Sequence, residues 1–149
     1  MRNYTWDRET DTITPIEDDD LFTMAQEFEK DRKVDRYSEF EDCDCFVSTV
    51  FLVLNHNFDN SKPIVFETMS FLFGDEWRMQ RYSKPSDARY GHIAHVEEFR
   101  ELLDKIASQG STRRIKAYIK KEDPYFLRNL YSIRANAPKL IHKYRKSKR

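Results

Sequence analysis

Glycine is nearly missing from this chain, with three residues in 149. Flexible linkers are therefore few. No phosphate-cradling glycine loop, no dinucleotide fingerprint, no G-x-S-x-G and no H-E-x-x-H is present. Long apolar runs are missing too. The longest, residues 46–54, is broken by Ser48 and Thr49 and falls short of the ~18 residues a membrane span needs, so no membrane partner is expected. The N-terminus, Met1-Arg2-Asn3-Tyr4-Thr5-Trp6-Asp7, has no apolar segment of the signal-peptide kind. Cysteine is limited to Cys43 and Cys45. A disulfide across one intervening residue is strained, which predicts two free thiols and a reducing, cytoplasmic location. The C-x-C pair lacks the second ligand pair of a zinc site, and neither metal nor cofactor is expected.

Aromatic residues, by contrast, are plentiful. Eleven Phe and eight Tyr are too many for a disordered chain and predict a packed core. The length suits one domain. A net charge of zero conceals a strong polarity. Residues 1–45 carry 15 acidic and 6 basic side chains, net −9, and residues 113–149 carry 2 acidic and 13 basic, net +11. Two readings follow. Either the tail binds a polyanion, or the acidic front and basic end pack on each other.

The patterning predicts an α+β fold. Residues 4–16 read as a hairpin or extended arm. Residues 19–33 read as an amphipathic helix with Leu21, Met24, Ala25 and Phe28 on its inward stripe, its start favoured by the acidic run at 17–20. Alternation marks a strand at 34–40. A central strand at 46–54, a further strand at 64–73, a turn at Gly74-Asp75 and a strand at 78–82 follow. Short loops favour an antiparallel meander of about three to five strands. A long helix runs from Ser83 to Gln109, with Ala88, His92, Val96, Phe99, Leu103 and Ile106 on one stripe, and is expected to lie across the sheet. Residues 111–122 stay ambiguous. Asp123-Pro124 reads as the start of a helix with Leu127 and Leu130 inward, interrupted at Pro138, and the last residues fray. The division expected is a core domain at 1–110 and a basic, helical extension at 111–149.

Over residues 46–92 the text Val47-Ser48-Thr49-Val50-Phe51-Leu52, then Asn55-His56-Asn57-Phe58, then Phe66-Glu67-Thr68-Met69, then Arg81-Tyr82-Ser83, then Ala88 and Gly91-His92 resembles an uncharacterised family of small bacteriophage and bacterial proteins. The pattern of that family runs V-S-T-V-F-L-G-L-D-H, F-E-T-M, R-Y-S, A-x-x-G-H. This chain departs from it with Val53 for Gly and Asn55 for Asp. The resemblance implies a phage or mobile-element origin and carries no activity.

Three residues offer chemistry. Glu67 alternates with Val65, Met69 and Phe71, where a carboxylate is desolvated unless it meets a cross-strand Arg. His92, with His95 on the same helical stripe, and His56 in the following loop of the central strand would form with Glu67 an acid/base or metal cluster if they converged. That is the hydrolase alternative. The leading expectation is a non-enzymatic interaction protein. Its contacts to nucleic acid or to an acidic host protein come from Arg113, Arg114, Lys116, Lys120 and Lys121, and from Lys139, Lys143, Arg145 and Lys146. Tyr118, Tyr125, Tyr131 and Tyr144 are interleaved among them. On this reading residues 139–149 are removable without unfolding the domain. Oligomeric state is not legible.

Overall fold

The computed structural model describes residues 2–58, 61–126 and 130–148. The fold is α+β with antiparallel sheets. Its elements are β1 (Tyr4–Asp7), β2 (Thr12–Pro15), α1 (Leu21–Glu29), β3 (Lys33–Phe40), β4 (Cys45–Phe51), β5 (Phe66–Leu72), β6 (Asp75–Tyr82), α2 (Pro85–Ala107), α3 (Thr112–Glu122) and α4 (Leu130–Ser147). A 3-10 turn, Glu41–Cys43, separates β3 from β4. Strands β1 and β2 pair antiparallel, with Tyr4 opposite Pro15 and Asp7 opposite Thr12. Strands β3 to β6 form a second sheet in chain order, the expected meander. The β5–β6 turn rests on Phe73 and Gly74, at φ 52° and 85°. Two successive left-handed residues match the twist of a tight hairpin. Among the described residues no helix is long and apolar enough to cross a membrane.

Period-2 alternation is written into the two middle strands. Cys45, Val47, Thr49 and Phe51 of β4, and Phe66, Thr68, Ser70 and Leu72 of β5, are buried, and every residue between them is half-buried. Strand β4 stops at Phe51, three residues before the apolar text ends. The reason is Val53, fully buried at φ 68°, a left-handed conformation that costs a β-branched residue of the order of 1–3 kcal/mol. Burying its side chain returns about 1.5–3 kcal/mol. Its carbonyl accepts from the Tyr4 N–H at 2.8 Å. Glycine, which the resembling pattern carries here, enters this conformation without strain. Asn55 Oδ1 accepts from the backbone N–H groups of Asn57 (2.8 Å) and Ile64 (2.9 Å), a role an aspartate oxygen fills equally.

Contacts divide the chain into two compact units. The first comprises Met1–Arg36, Ser48–Thr68 and Met79–Ile93. Its core is Tyr4, Trp6, Phe51, Val53, Val65, Phe66, Tyr82 and Ala88. Trp6 meets Phe66 edge-on at 5.2 Å, and Phe51 lies 5.3 Å from Phe66. Gly91 of α2 faces Tyr82, and a Cβ added there would fall 2.1 Å from Tyr82 Oη, so only glycine fits. Arg89 makes two hydrogen bonds to Asp11.

Helix α1 belongs to this unit and departs from expectation. Its inward side carries Thr23, Met24 and Glu27, and Glu27 is the buried residue of the helix. Leu21, Phe22 and Phe28 are 72%, 73% and 48% exposed. Of the predicted stripe, Leu21, Ala25 and Phe28 therefore face outward, and Met24 is turned to the inward side. Asp20 caps the helix, its carboxylate accepting from the Thr23 N–H at 3.0 Å and the Thr23 hydroxyl at 2.6 Å.

The second unit comprises Tyr37–Val47, Met69–Arg78 and Ala94–Arg149. One cluster holds Cys43, Cys45, Val47, Leu72 and Phe73 together with Phe99, Leu103 and Ile106 of α2 and Ile115 and Ile119 of α3. Phe126 and, from α4, Ile133, Ala137, Leu140 and Ile141 complete it. The segment 111–122, ambiguous in sequence, is helix α3, capped by Ser111 Oγ accepting from the Arg114 N–H at 3.2 Å. Asp123-Pro124 starts no helix: α4 begins at Leu130, which is 46% exposed rather than inward, and Leu127 lies outside the described residues. Nor does Pro138 interrupt α4. Its ring sits on the exposed side, and burial of Ala137, Leu140 and Ile141 around it offsets the lost backbone hydrogen bond. Both cysteines are free and buried.

Candidate functional site

The pieces of the resembling pattern meet in the first unit. Thr49 Oγ1 lies 2.6 Å from Thr68 Oγ1 and 2.7 Å from His92 Nδ1. His92 Nε2 lies 3.8 Å from the Asp35 carboxylate. Glu67 accepts from Arg81 Nε at 3.0 Å, and Tyr82 abuts Gly91. The order Thr–His–Asp has the composition of a nucleophile relay. Its exposure does not fit one: Thr49 and Thr68 are 0% exposed and His92 4%, so no substrate atom reaches the hydroxyl. The Thr49–Thr68 and Thr49–His92 pairings are a buried polar lock between β4, β5 and α2, with Asp35 at its exposed edge.

The same geometry separates the three residues of the hydrolase alternative. Thr68 points to the buried side of β5, toward Thr49 and His92, and Glu67 is its neighbour on the opposite, half-buried side. Its partner is the cross-strand Arg81. His56 is exposed in the loop after β4. Glu67 and His92 thus point to different faces of the sheet. Among the described residues no group of three or more His, Cys, Asp or Glu is placed to hold a metal ion. His95 is buried as well.

The lock predicts a pH effect. Burial holds His92 below the ordinary histidine pKa of 6.5, against the opposing pull of Asp35. The unfolded chain therefore takes up a proton before the folded one does, and stability falls as pH drops below about 6.5. His92→Gln should flatten the dependence of unfolding free energy on pH below about 6.5, as read from denaturant titrations. The paired carboxylates Asp11 and Asp42, held below the usual range by Arg89 and Lys143, lose their contribution only at lower pH. Thr49→Val, equal in shape, should cost about 1–3 kcal/mol by leaving Thr68 and His92 short of a partner. An unchanged acid slope in His92→Gln would remove the lock from the account.

The second unit carries the basic residues. Helix α3 buries Ile115 and Ile119 and turns Arg113, Arg114, Lys120 and Lys121 outward, with Lys116 half-buried. Helix α4 has no acidic residue. Two of its cations are spent within the unit: Lys143 Nζ pairs with Asp42 at 2.6 Å and donates to the Glu39 carbonyl at 3.1 Å, and Lys139 Nζ donates to the Asp42 carbonyl at 3.3 Å. Arg145 is exposed and reaches the Gly110 carbonyl at 3.4 Å, and Lys146 is exposed. Tyr125 and Tyr131 are 88% and 81% exposed, whereas Tyr118 and Tyr144 are half-buried.

A cavity of about 550 Å³ opens in this unit, lined by Glu39, Phe40, Arg100, Asp104, Lys143, Lys146, Ser147 and Lys148. Tyr37 donates to Glu39 at 2.6 Å, and burial, then the Glu39 carboxylate, push its hydroxyl well above the ordinary tyrosine value. Arg100 stands over the Tyr37 ring, 6.0 Å from its centroid. Neither the lock nor this cavity was assembled from sequence. The lock residues do all stand in the resembling motifs, except Asp35. No family model, no curated protein and no solved structure matches this chain.

Proposed function

We propose that the protein is a nucleic-acid-binding interaction protein whose contact face is the outer side of α3 and the start of α4. The observation that carries this is the pairing of charge and stacking surface. Arg113, Arg114, Lys120 and Lys121 project from α3, and Tyr125 and Tyr131, both more than four-fifths exposed, follow in the same unit. Exposed tyrosines among cations suit unpaired bases and phosphates. The internal pairing of Lys139 and Lys143 supports giving those two a structural role, and Arg145 and Lys146 stand at the far end of α4, so the binding residues of this face become Arg113, Arg114, Lys116, Lys120 and Lys121. A phage or mobile-element origin, implied by the resemblance over 46–92, is compatible with this role and adds no chemistry to it.

Fluorescence anisotropy with labelled single-stranded and duplex DNA tests the reading. The log–log salt slope should be near −0.7 per contact on single strands and −0.9 on duplex. Replacing Arg113, Arg114, Lys120 and Lys121 by Gln should remove several units of slope. Tyr125→Ala with Tyr131→Ala should weaken the single-stranded complex by about 1–3 kcal/mol per stacked base and leave duplex binding nearly unchanged. No binding to either form at low salt, or a slope indifferent to the α3 changes, refutes the proposal.

A further inference from the structure

Tyr125 is 88% exposed, yet the turn that carries it is firmly held. Asp123 donates its N–H to the Ile119 carbonyl at 2.8 Å. Its Oδ1 accepts from the Tyr125 N–H at 3.1 Å, and its Oδ2 accepts from Arg78 Nη1 at 3.0 Å. The Phe126 N–H donates to the Asp123 carbonyl at 3.2 Å, and the buried Phe126 ring meets Trp77 edge-on, with centroids 4.8 Å apart. One carboxylate thus ties the turn after α3 to Arg78 of β6. An aromatic ring presented on a fixed backbone has little conformational freedom left to lose on contact, which favours binding.

Arg78 offers a second flat surface. Its Nη1 also donates to the Trp77 carbonyl at 2.8 Å, and its guanidinium carbon lies 4.2 Å from the Trp77 ring centroid. The hydrogen bonds hold the guanidinium in its own plane, and the indole backs one face of it. The side chain is 51% exposed, which leaves the other face to a planar group. Asp123 matches the charge of Arg78, so this surface offers stacking more than net charge. Trp77, Arg78, Asp123 and Tyr125 all lie in the second unit, next to Lys120 and Lys121 in the last turn of α3.

We infer that Arg78, backed by Trp77, is a second base-stacking surface beside Tyr125, with Asp123 as the positioning residue that holds the two together. A guanidinium plane and a tyrosine ring next to cations fit unpaired bases. A duplex keeps its bases inside and gives neither surface a partner. The inference rests on the nucleic-acid reading of the α3 face and narrows its ligand to single strands.

Fluorescence anisotropy on the full chain tests this, with labelled oligothymidylate and an abasic strand of equal length. The abasic strand keeps the phosphates and lacks the bases. Arg78→Lys keeps the charge and removes the planar face. It should weaken oligothymidylate binding about fivefold or more, with the salt slope and the binding of the abasic strand unchanged. Asp123→Ala, which releases both surfaces, should lose at least as much on oligothymidylate and nothing on the abasic strand. Thermal melts check that both variants fold. Should Asp123→Ala unfold, Arg78→Lys, at an exposed position, decides alone. An Arg78→Lys chain that binds oligothymidylate like wild type overturns the inference. So does an equal loss on the abasic strand, which would make Arg78 a phosphate contact. If the α3 substitutions abolish binding while Arg78→Lys and Asp123→Ala leave it intact, the α3 reading stands and this inference alone falls. A wild type that binds neither strand removes both.

Discussion

Phe51→Ala and Phe99→Ala should each lower unfolding free energy by about 3–5 kcal/mol, measured by urea titration with the m-value held as a check on two-state behaviour. Both rings are essentially excluded from solvent, at 1% and 2% exposure. They sit in different cores, Phe51 with Trp6 and Phe66 in the first unit and Phe99 with Leu103, Ile115 and Ile133 in the second. Phe51 should cost more. It loses ring contacts at 5.8 Å to Trp6 and 5.3 Å to Phe66, and such pairs add about 0.5–1.5 kcal/mol beyond buried area. Against a total stability of about 5–15 kcal/mol, either loss is a large fraction. A variant melting within about 2 °C of wild type would mean that its ring is not in a core.

How far the text of the chain foretold these cores depends on the kind of signal. Short-range periodicity was enough for α2, whose stripe of Ala88, His92, Phe99, Leu103 and Ile106 is buried with Val96 at its margin, and for the alternation of β4 and β5. It was not enough for α1. Of the predicted stripe of Leu21, Met24, Ala25 and Phe28, all but Met24 are exposed, because periodicity reports that a helix has two faces and not which one meets the core. The end of β4 was hidden for another reason: Val53 has high β propensity, and tertiary contacts hold it left-handed. Pro138 reads as a breaker locally, and packing on both sides of it carries α4 through. The polar lock depends on pairings 19 and 43 residues apart. Nothing in local sequence joins Thr49 to His92, although the order of the resembling motifs contained both. Glu67 is the converse case: the cross-strand Arg that would settle it was foreseeable, and Arg81 fills that place.

The basic tail supplies the other large effect. Removing residues 139–149 should destabilise the protein by at least about 5 kcal/mol, enough to unfold a marginal domain, seen as loss of the cooperative thermal transition. Charge density alone suggests the opposite, a solvated end removable at little cost. Packing decides it. Leu140 and Ile141, 1% and 7% exposed, belong to the cluster of Phe99, Ile115 and Ile133, and each truncation of such a side chain costs about 2–5 kcal/mol. The ion pair of Lys143 with Asp42 contributes little beside that. Its lysine is one-third exposed and its aspartate more than half, and pairs of this kind are worth about 0–1 kcal/mol. Point changes separate the two contributions. Arg145→Ala, Lys146→Ala and Lys148→Ala, all at exposed positions, should each stay within about 0.5 kcal/mol of wild type. Leu140→Ala alone should reproduce much of the truncation. A truncated chain that keeps its transition would place α4 outside the core. A lost transition means that any binding defect of the truncation reports unfolding, so the charge of this region has to be probed by substitution in the intact chain.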